Sequence, residues 1–141
     1  MGNDIIADDL VKQIPNPNWK EIAKVDGLAD RFAKEKIKKK ELKTNQLRKF
    51  FDDVKRIESK VRDEQKWDVI EGELYKLVPT IKYAQARKLC PKQFVEFITK
   101  SIDKVCEDDG TDKKDKLRNF TKIFEYVVAY RKYHDEVKGG E

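Results

Sequence analysis

Arg48, Lys55 and Arg62 stand seven residues apart. A helix rises about 1.5 Å per residue, so neighbouring members of this row sit roughly 10 Å apart along one edge. Leu47, Phe50, Phe51, Val54, Ile57 and Val61 recur beside it at helical spacing and form one apolar face. A packed helix with a cationic rail along its buried stripe suits the backbone of a polyanion. The same row is also compatible with an ordinary solvated edge.

Residues for bond-breaking chemistry are sparse. The single histidine, His134, has no cysteine or second histidine at ligand spacing, and reads as a partly exposed residue near a helix end. Ser59 and Ser101 lie in no nucleophile elbow. Six scattered glycines build no phosphate cradle. Asp52 and Asp53 are adjacent, so on a helix their carboxylates point apart. Cys90 and Cys106 match neither a zinc nor a redox spacing and read as reduced core residues. No metal, no cofactor and no catalysis are expected; binding is.

The elements that must position these groups are helices. The chain has 141 residues, 38% hydrophobic and 42% charged, with only six glycines and four prolines. Lys, Glu, Leu, Ala and Arg dominate long stretches and strand-like alternation is rare, so the expected class is all-α, a compact bundle of about five helices in one domain. The net charge of +5 is unevenly spread. Lysine and arginine outnumber acid across 34–66 and 76–104, while Asp4, Asp8, Asp9 and the Glu107-Asp108-Asp109 run compensate. Clustered positive charge attracts nucleic acid, anionic lipid or acidic protein. Met1 to Leu10 is acidic without an apolar stretch, and no run is long enough to span a bilayer; a cytoplasmic protein is expected.

Residues 1–25, broken by Pro15 and Pro17, read as an irregular segment in which Trp19 is either an anchor or mobile. Residues 26–141 read as the helical domain. Asp26 is placed as N-cap of a first helix through Leu28, Phe32 and Ile37, which ends in the lysine-rich Lys36–Lys43 stretch. Thr44 is placed as cap of a second, to about Glu64. A third begins near Lys66 and is expected to kink or break near Leu77 because of Pro79, with a further segment from Ile81 to Cys90. Pro91 fits the first turn of a fourth helix ending near Cys106. Thr111 or Asp112 caps the last, which runs to about Val137 and stops at Gly139 and Gly140.

Four passages in order resemble the small subunit of the type III-A CRISPR interference complex, the Csm complex. They are Thr44-Asn45-Gln46-Leu47-Arg48-Lys49-Phe50-Phe51; Lys76-Leu77-Val78-Pro79-Thr80-Ile81-Lys82-Tyr83-Ala84-Gln85-Ala86-Arg87; Phe94-Val95-Glu96-Phe97-Ile98 with Ile102 and Val105; and Phe120-Thr121-Lys122-Ile123-Phe124-Glu125-Tyr126-Val127-Val128-Ala129-Tyr130. The likeness covers about residues 40–134. It implies an all-helical, non-catalytic subunit of an antiviral effector, several copies of which stack as an inner filament. These copies line the guide–target duplex and contact its backbone. Cleavage of target RNA then belongs to a neighbouring subunit, and DNA cleavage and cyclic oligoadenylate synthesis to the large subunit. The implied partners are guide RNA, target RNA, other Csm subunits and further copies of the chain, with no membrane.

Where base pairing selects the target, protein needs only to read shape and charge. Arg48 and Arg87 lie inside matching passages and are the first candidates for phosphate contact; Lys82, Lys88 and Lys92 extend the patch around Arg87. Arg48 has an alternative partner in Asp52, four residues on. Arg131 projects toward the apolar side of the last helix, as a snorkelling or an interface group. Tyr83, Tyr126 and Tyr130 read as core or subunit-interface residues. The competing function is a helical protein–protein adaptor that binds no nucleic acid.

Overall fold

The computed structural model describes residues 5–137, and these contain seven helices: α1 (Ile5–Lys12), α2 (Trp19–Ala23), α3 (Leu28–Glu35), α4 (Thr44–Arg62), α5 (Trp67–Ala86), α6 (Lys92–Cys106) and α7 (Lys113–Val137). Among the described residues there is no strand. One continuous core runs through them from Ile6 to Val127. All seven phenylalanines of the chain belong to a single ring network. Phe124 on α7 is its hub, with ring centroids 5.2 Å from Phe51, 5.8 Å from Phe97, and 6.0 Å from both Phe94 and Phe120. Phe97 reaches Phe32 and Phe94 reaches Phe50, so α3, α4 and α6 all pack around α7. Offset and edge-to-face aromatic pairs add stabilisation beyond the area they bury.

The segment 1–25, expected to be irregular, contains α1 and α2. Each is short, and α1 is stabilised by packing on α3 and α6 rather than by its own length. Asn18 caps α2 by accepting from the Glu21 N–H at 3.2 Å. Trp19 docks edge-on against Tyr126 of α7, 6.0 Å between centroids, which settles its role as an anchor. Asn119 Nδ2 donates to the Ile14 carbonyl (2.8 Å), and the Tyr130 hydroxyl to the Ala23 carbonyl (2.5 Å). Side chains of α7 therefore satisfy backbone groups that these two short helices leave open.

Several helix limits differ from expectation for identifiable reasons. α5 passes through Pro79 unbroken. The proline is exposed, so water can serve the carbonyl it leaves unpaired, and buried Leu74, Leu77, Ile81 and Ala84 carry the packed face across it. Pro91 is the N-cap of α6 rather than a first-turn residue. Lys43, not Thr44, is the N-cap of α4, and its side chain makes no cap bond. Asp26 does not cap α3. It has a φ of 63°, Gly27 takes the N-cap position, and the Asp26 N–H donates back to Asp30 Oδ2 at 2.8 Å. Asp112 does cap α7, accepting from the N–H groups of Lys114 (2.8 Å) and Asp115 (3.2 Å). Gly139 and Gly140, expected to stop α7, lie outside the described residues.

Candidate nucleic-acid interface

Arg48, Lys55 and Arg62 all project from α4 and all are exposed. Arg48 forms no ion pair with Asp52, nor with any other group among the described residues. It stands on the rim of a groove of about 150 Å³ between the start of α4 and the end of α7. Leu47, Phe51 and Val128 line the groove, and Lys132 joins Arg48 at its edge. The ammonium of Lys55 lies 5.6 Å from the Phe51 ring centroid. That is within cation–π range, so Lys55 is held along the apolar stripe. Arg62, at the far end of α4, pairs with Glu58 at 3.3 Å. Glu58 is buried and Arg62 reaches it from the solvent side, so the pair offsets the charge of that end of the row.

The second group lies where α5 turns into α6. Lys82, Arg87, Lys88 and Lys92 are all exposed. Lys92 opens α6 and sits 3.9 Å from Glu96. Lys88 ends α5 with a φ of 63°. Its N–H donates to the Gln85 carbonyl (2.9 Å) and that of Leu89 to the Ala84 carbonyl (2.9 Å), a Schellman turn built without glycine. The two groups approach each other. The Phe50–Phe94 contact joins the second turn of α4 to the first turn of α6, and Lys49 is close enough to Cys90 for its charge to act on the thiol. Arg48, Arg87, Lys88 and Lys92 thus share one end of the bundle. Arg62, fourteen residues from Arg48, is about 20 Å away.

The same end carries lysines that the sequence reading did not select. Lys38, Lys39, Lys40 and Lys43 stand exposed on the loop between α3 and α4. Ile37 and Leu42 pin that loop from inside, both fully buried. Arg131 completes the anchor. It is 2% exposed, and its guanidinium donates to the Ile37 carbonyl (3.0 Å), the Leu42 carbonyl (2.5 Å) and Asp135 Oδ2 (3.0 Å). Arg131 is thus neither a snorkelling edge residue nor an interface group. The signal for the loop was present in the sequence: lysines around two apolar residues five apart.

Other charged and reactive groups serve the fold. Lys116 is fully buried and donates to the Glu107 carbonyl (2.7 Å) and Asp109 Oδ1 (2.9 Å), closing the loop before α7. That hydrogen bond, with the Thr111 N–H, holds the Asp109 carboxyl down at about 2. His134 Nε2 lies 2.6 Å from Asp30 Oδ1. Burial raises the Asp30 carboxyl, but the Asp26 N–H and His134 together outweigh it and leave it below its ordinary value. Both cysteines are free, and burial pushes their thiols up, Cys90 to about 11 and Cys106 to about 12, so both stay protonated near neutrality. Among the described residues no group of three or more His, Cys, Asp or Glu side chains is placed to hold a metal ion. Among them, too, no helix is long and apolar enough to cross a membrane.

An all-helical bundle on one aromatic core, with a group of exposed cations at one end, is the class of molecule these observations define. A family profile described as Csm2 Type III-A matches residues 19–137, and the chain belongs to that family, the small subunit of the type III-A CRISPR Csm complex. The match takes in Trp19 and α2, which lie ahead of the passages quoted above. The family is structural rather than catalytic, and membership implies association with other Csm subunits. No curated protein and no solved structure matches the chain.

Proposed function

We propose that this chain is a non-catalytic RNA-binding subunit of its effector. It acts in the cytoplasm, contacts the backbone of the paired guide and target RNA, and stacks with further copies of itself as an inner filament. The observation that carries this reading is the convergence of Arg48, Arg87, Lys88 and Lys92 with Lys38, Lys39, Lys40 and Lys43 at one end of the bundle. Arg48 is unpaired there and available to a phosphate. Lys55 continues the row along α4, Lys82 continues the patch along α5, and Arg62 is the least available because Glu58 already holds it. Sequence selection is left to base pairing, so the protein needs charge and shape and no base-reading groups.

The test is a salt titration of RNA binding by the full chain, read by fluorescence anisotropy with a guide–target duplex. About six phosphate contacts give a steep fall of affinity with added salt. Arg48→Ala and Arg87→Ala should each weaken binding alike across sequences and lower the salt slope by about one; Arg62→Ala should do less. A flat isotherm at low salt, with stable capture of a protein subunit instead, would replace this reading with the helical adaptor.

A further inference from the structure

We propose that Tyr83 is a stacking platform for an unpaired nucleotide of single-stranded RNA, set among cations that hold the flanking phosphates. This rests on the RNA-binding reading above and adds a ligand that the paired backbone does not supply.

Four of the five tyrosines have an evident structural task. The Tyr75 hydroxyl donates to Asp103 (2.7 Å), Tyr126 receives Trp19, Tyr130 bonds the Ala23 carbonyl, and Tyr133 meets His134 edge-on at 5.1 Å. Tyr83 has none. It was expected in a core or a subunit interface; it is not in the core, being 66% exposed, more than any other aromatic side chain among the described residues. Its one ring contact is Arg87, whose guanidinium carbon lies 5.7 Å from the centroid. A guanidinium covers one face of a ring at most, so exposure of this size leaves the opposite face to solvent.

The surroundings select the ligand. Between Glu73 and Glu96 the chain carries Lys76, Lys82, Arg87, Lys88 and Lys92 and not one acidic residue. These five charges equal the whole formal excess of +5. Lys88 sharpens the point. Its left-handed backbone is one that glycine adopts without strain, and a lysine there keeps a cation next in sequence to Arg87 at a conformational cost. Lys76 pairs with Glu73 (3.2 Å) and Lys92 sits 3.9 Å from Glu96, whereas Lys82, Arg87 and Lys88 form no ion pair among the described residues. An exposed aromatic face beside such cations is the arrangement that binds single strands, with bases on the ring and phosphates on the cations. Bases inside a duplex are already stacked and paired, so the nucleotide that reaches Tyr83 is an unpaired one.

The experiment compares the full chain with Tyr83→Ala, Tyr83→Trp and Arg87→Ala, using a ten-nucleotide oligoadenylate carrying one 2-aminopurine and a blunt RNA duplex. Tyr83→Ala should weaken single-strand binding about tenfold, abolish 2-aminopurine quenching, leave the salt slope unchanged and leave duplex binding within about twofold. Tyr83→Trp should keep both affinity and quenching. Arg87→Ala should lower the salt slope by about one for both ligands. Unfolding curves check that the exposed substitution leaves the fold intact. The platform is overturned if Tyr83→Ala affects both ligands equally or neither. It is overturned in favour of a protein contact if the substitution instead reduces self-association in sedimentation. Duplex binding without single-strand binding removes the platform and leaves the backbone reading standing; binding of neither removes both.

Discussion

Arg131 on the last helix donates to the backbone carbonyl of Ile37, ninety-four residues earlier, at 3.0 Å and inside the core. The buried guanidinium thereby closes a loop whose outer side is almost all lysine. Its three bonds go to two carbonyls and one carboxylate, so removing it orphans several acceptors at once. Arg131→Met, which keeps most of the volume, should cost at least about 3 kcal/mol. Urea unfolding measures this directly; a loss under about 1 kcal/mol would show that the loop holds itself.

Phe124 touches four of the other six phenylalanines. Phe124→Ala should cost about 3–5 kcal/mol, near the upper end for a buried aromatic. Phe51 is only partly buried, and its truncation should cost distinctly less. Equal losses for the two, measured in the same denaturant series, would contradict the hub.

Acid stability has a defined sign. Asp30 and Asp109 both titrate below their ordinary values in the fold, Asp109 at about 2. A depressed carboxyl stabilises above its unfolded value, near pH 4, and that contribution is lost as pH falls toward the folded value. Asp30 faces His134 and the Asp26 N–H, with Lys34 also acting on it. Asp30→Asn should therefore be less stable at pH 7 but lose less between pH 4 and pH 2 than the parent chain. Equally steep acid limbs in the two proteins would refute this account.

Gly72 lies exposed in the middle of α5, with nothing within 4 Å of a built Cβ and no left-handed backbone to justify it. Gly72→Ala should stabilise the isolated chain by about 0.5–1 kcal/mol, a gain of helix propensity alone. Thermal melts decide this, and a destabilised variant would mean that the helix bends there more than its hydrogen bonding indicates.

Long amphipathic patterns were legible in the sequence. The apolar spacing of Leu47 to Val61, of Phe94 to Val105 and of Leu117 to Val127 located α4, α6 and α7, and the cap of α7 was narrowed to Thr111 or Asp112, between which the bonds to Asp112 decide. Short helices were not, because α1 and α2 gain their order from Asn119, Tyr130 and Tyr126 more than a hundred residues away. Pro79 looked like a break because local chemistry says so; packing of Leu77 and Ile81 on either side overrode it. Buried cations were the hardest to read. Lys116 and Arg131 differ from their exposed neighbours only in having carbonyls to bond, and carbonyls carry no signature in a sequence. For the candidate interface, Arg48 and the row behind it could be picked out, whereas the lysine loop needed the anchor beneath it to be seen as part of the same end.

The stitching of α1–α3 onto α7 also fixes when the fold can close. Residues 14–37 find several of their polar partners on a helix translated about a hundred residues later. During synthesis the early helices must therefore wait, with their apolar sides open, until α7 has cleared the ribosome. A bundle of short helices would ordinarily snap together fast; this one is timed by its last segment, and a nascent chain stalled before Phe120 would be the form most exposed to chaperones and proteases.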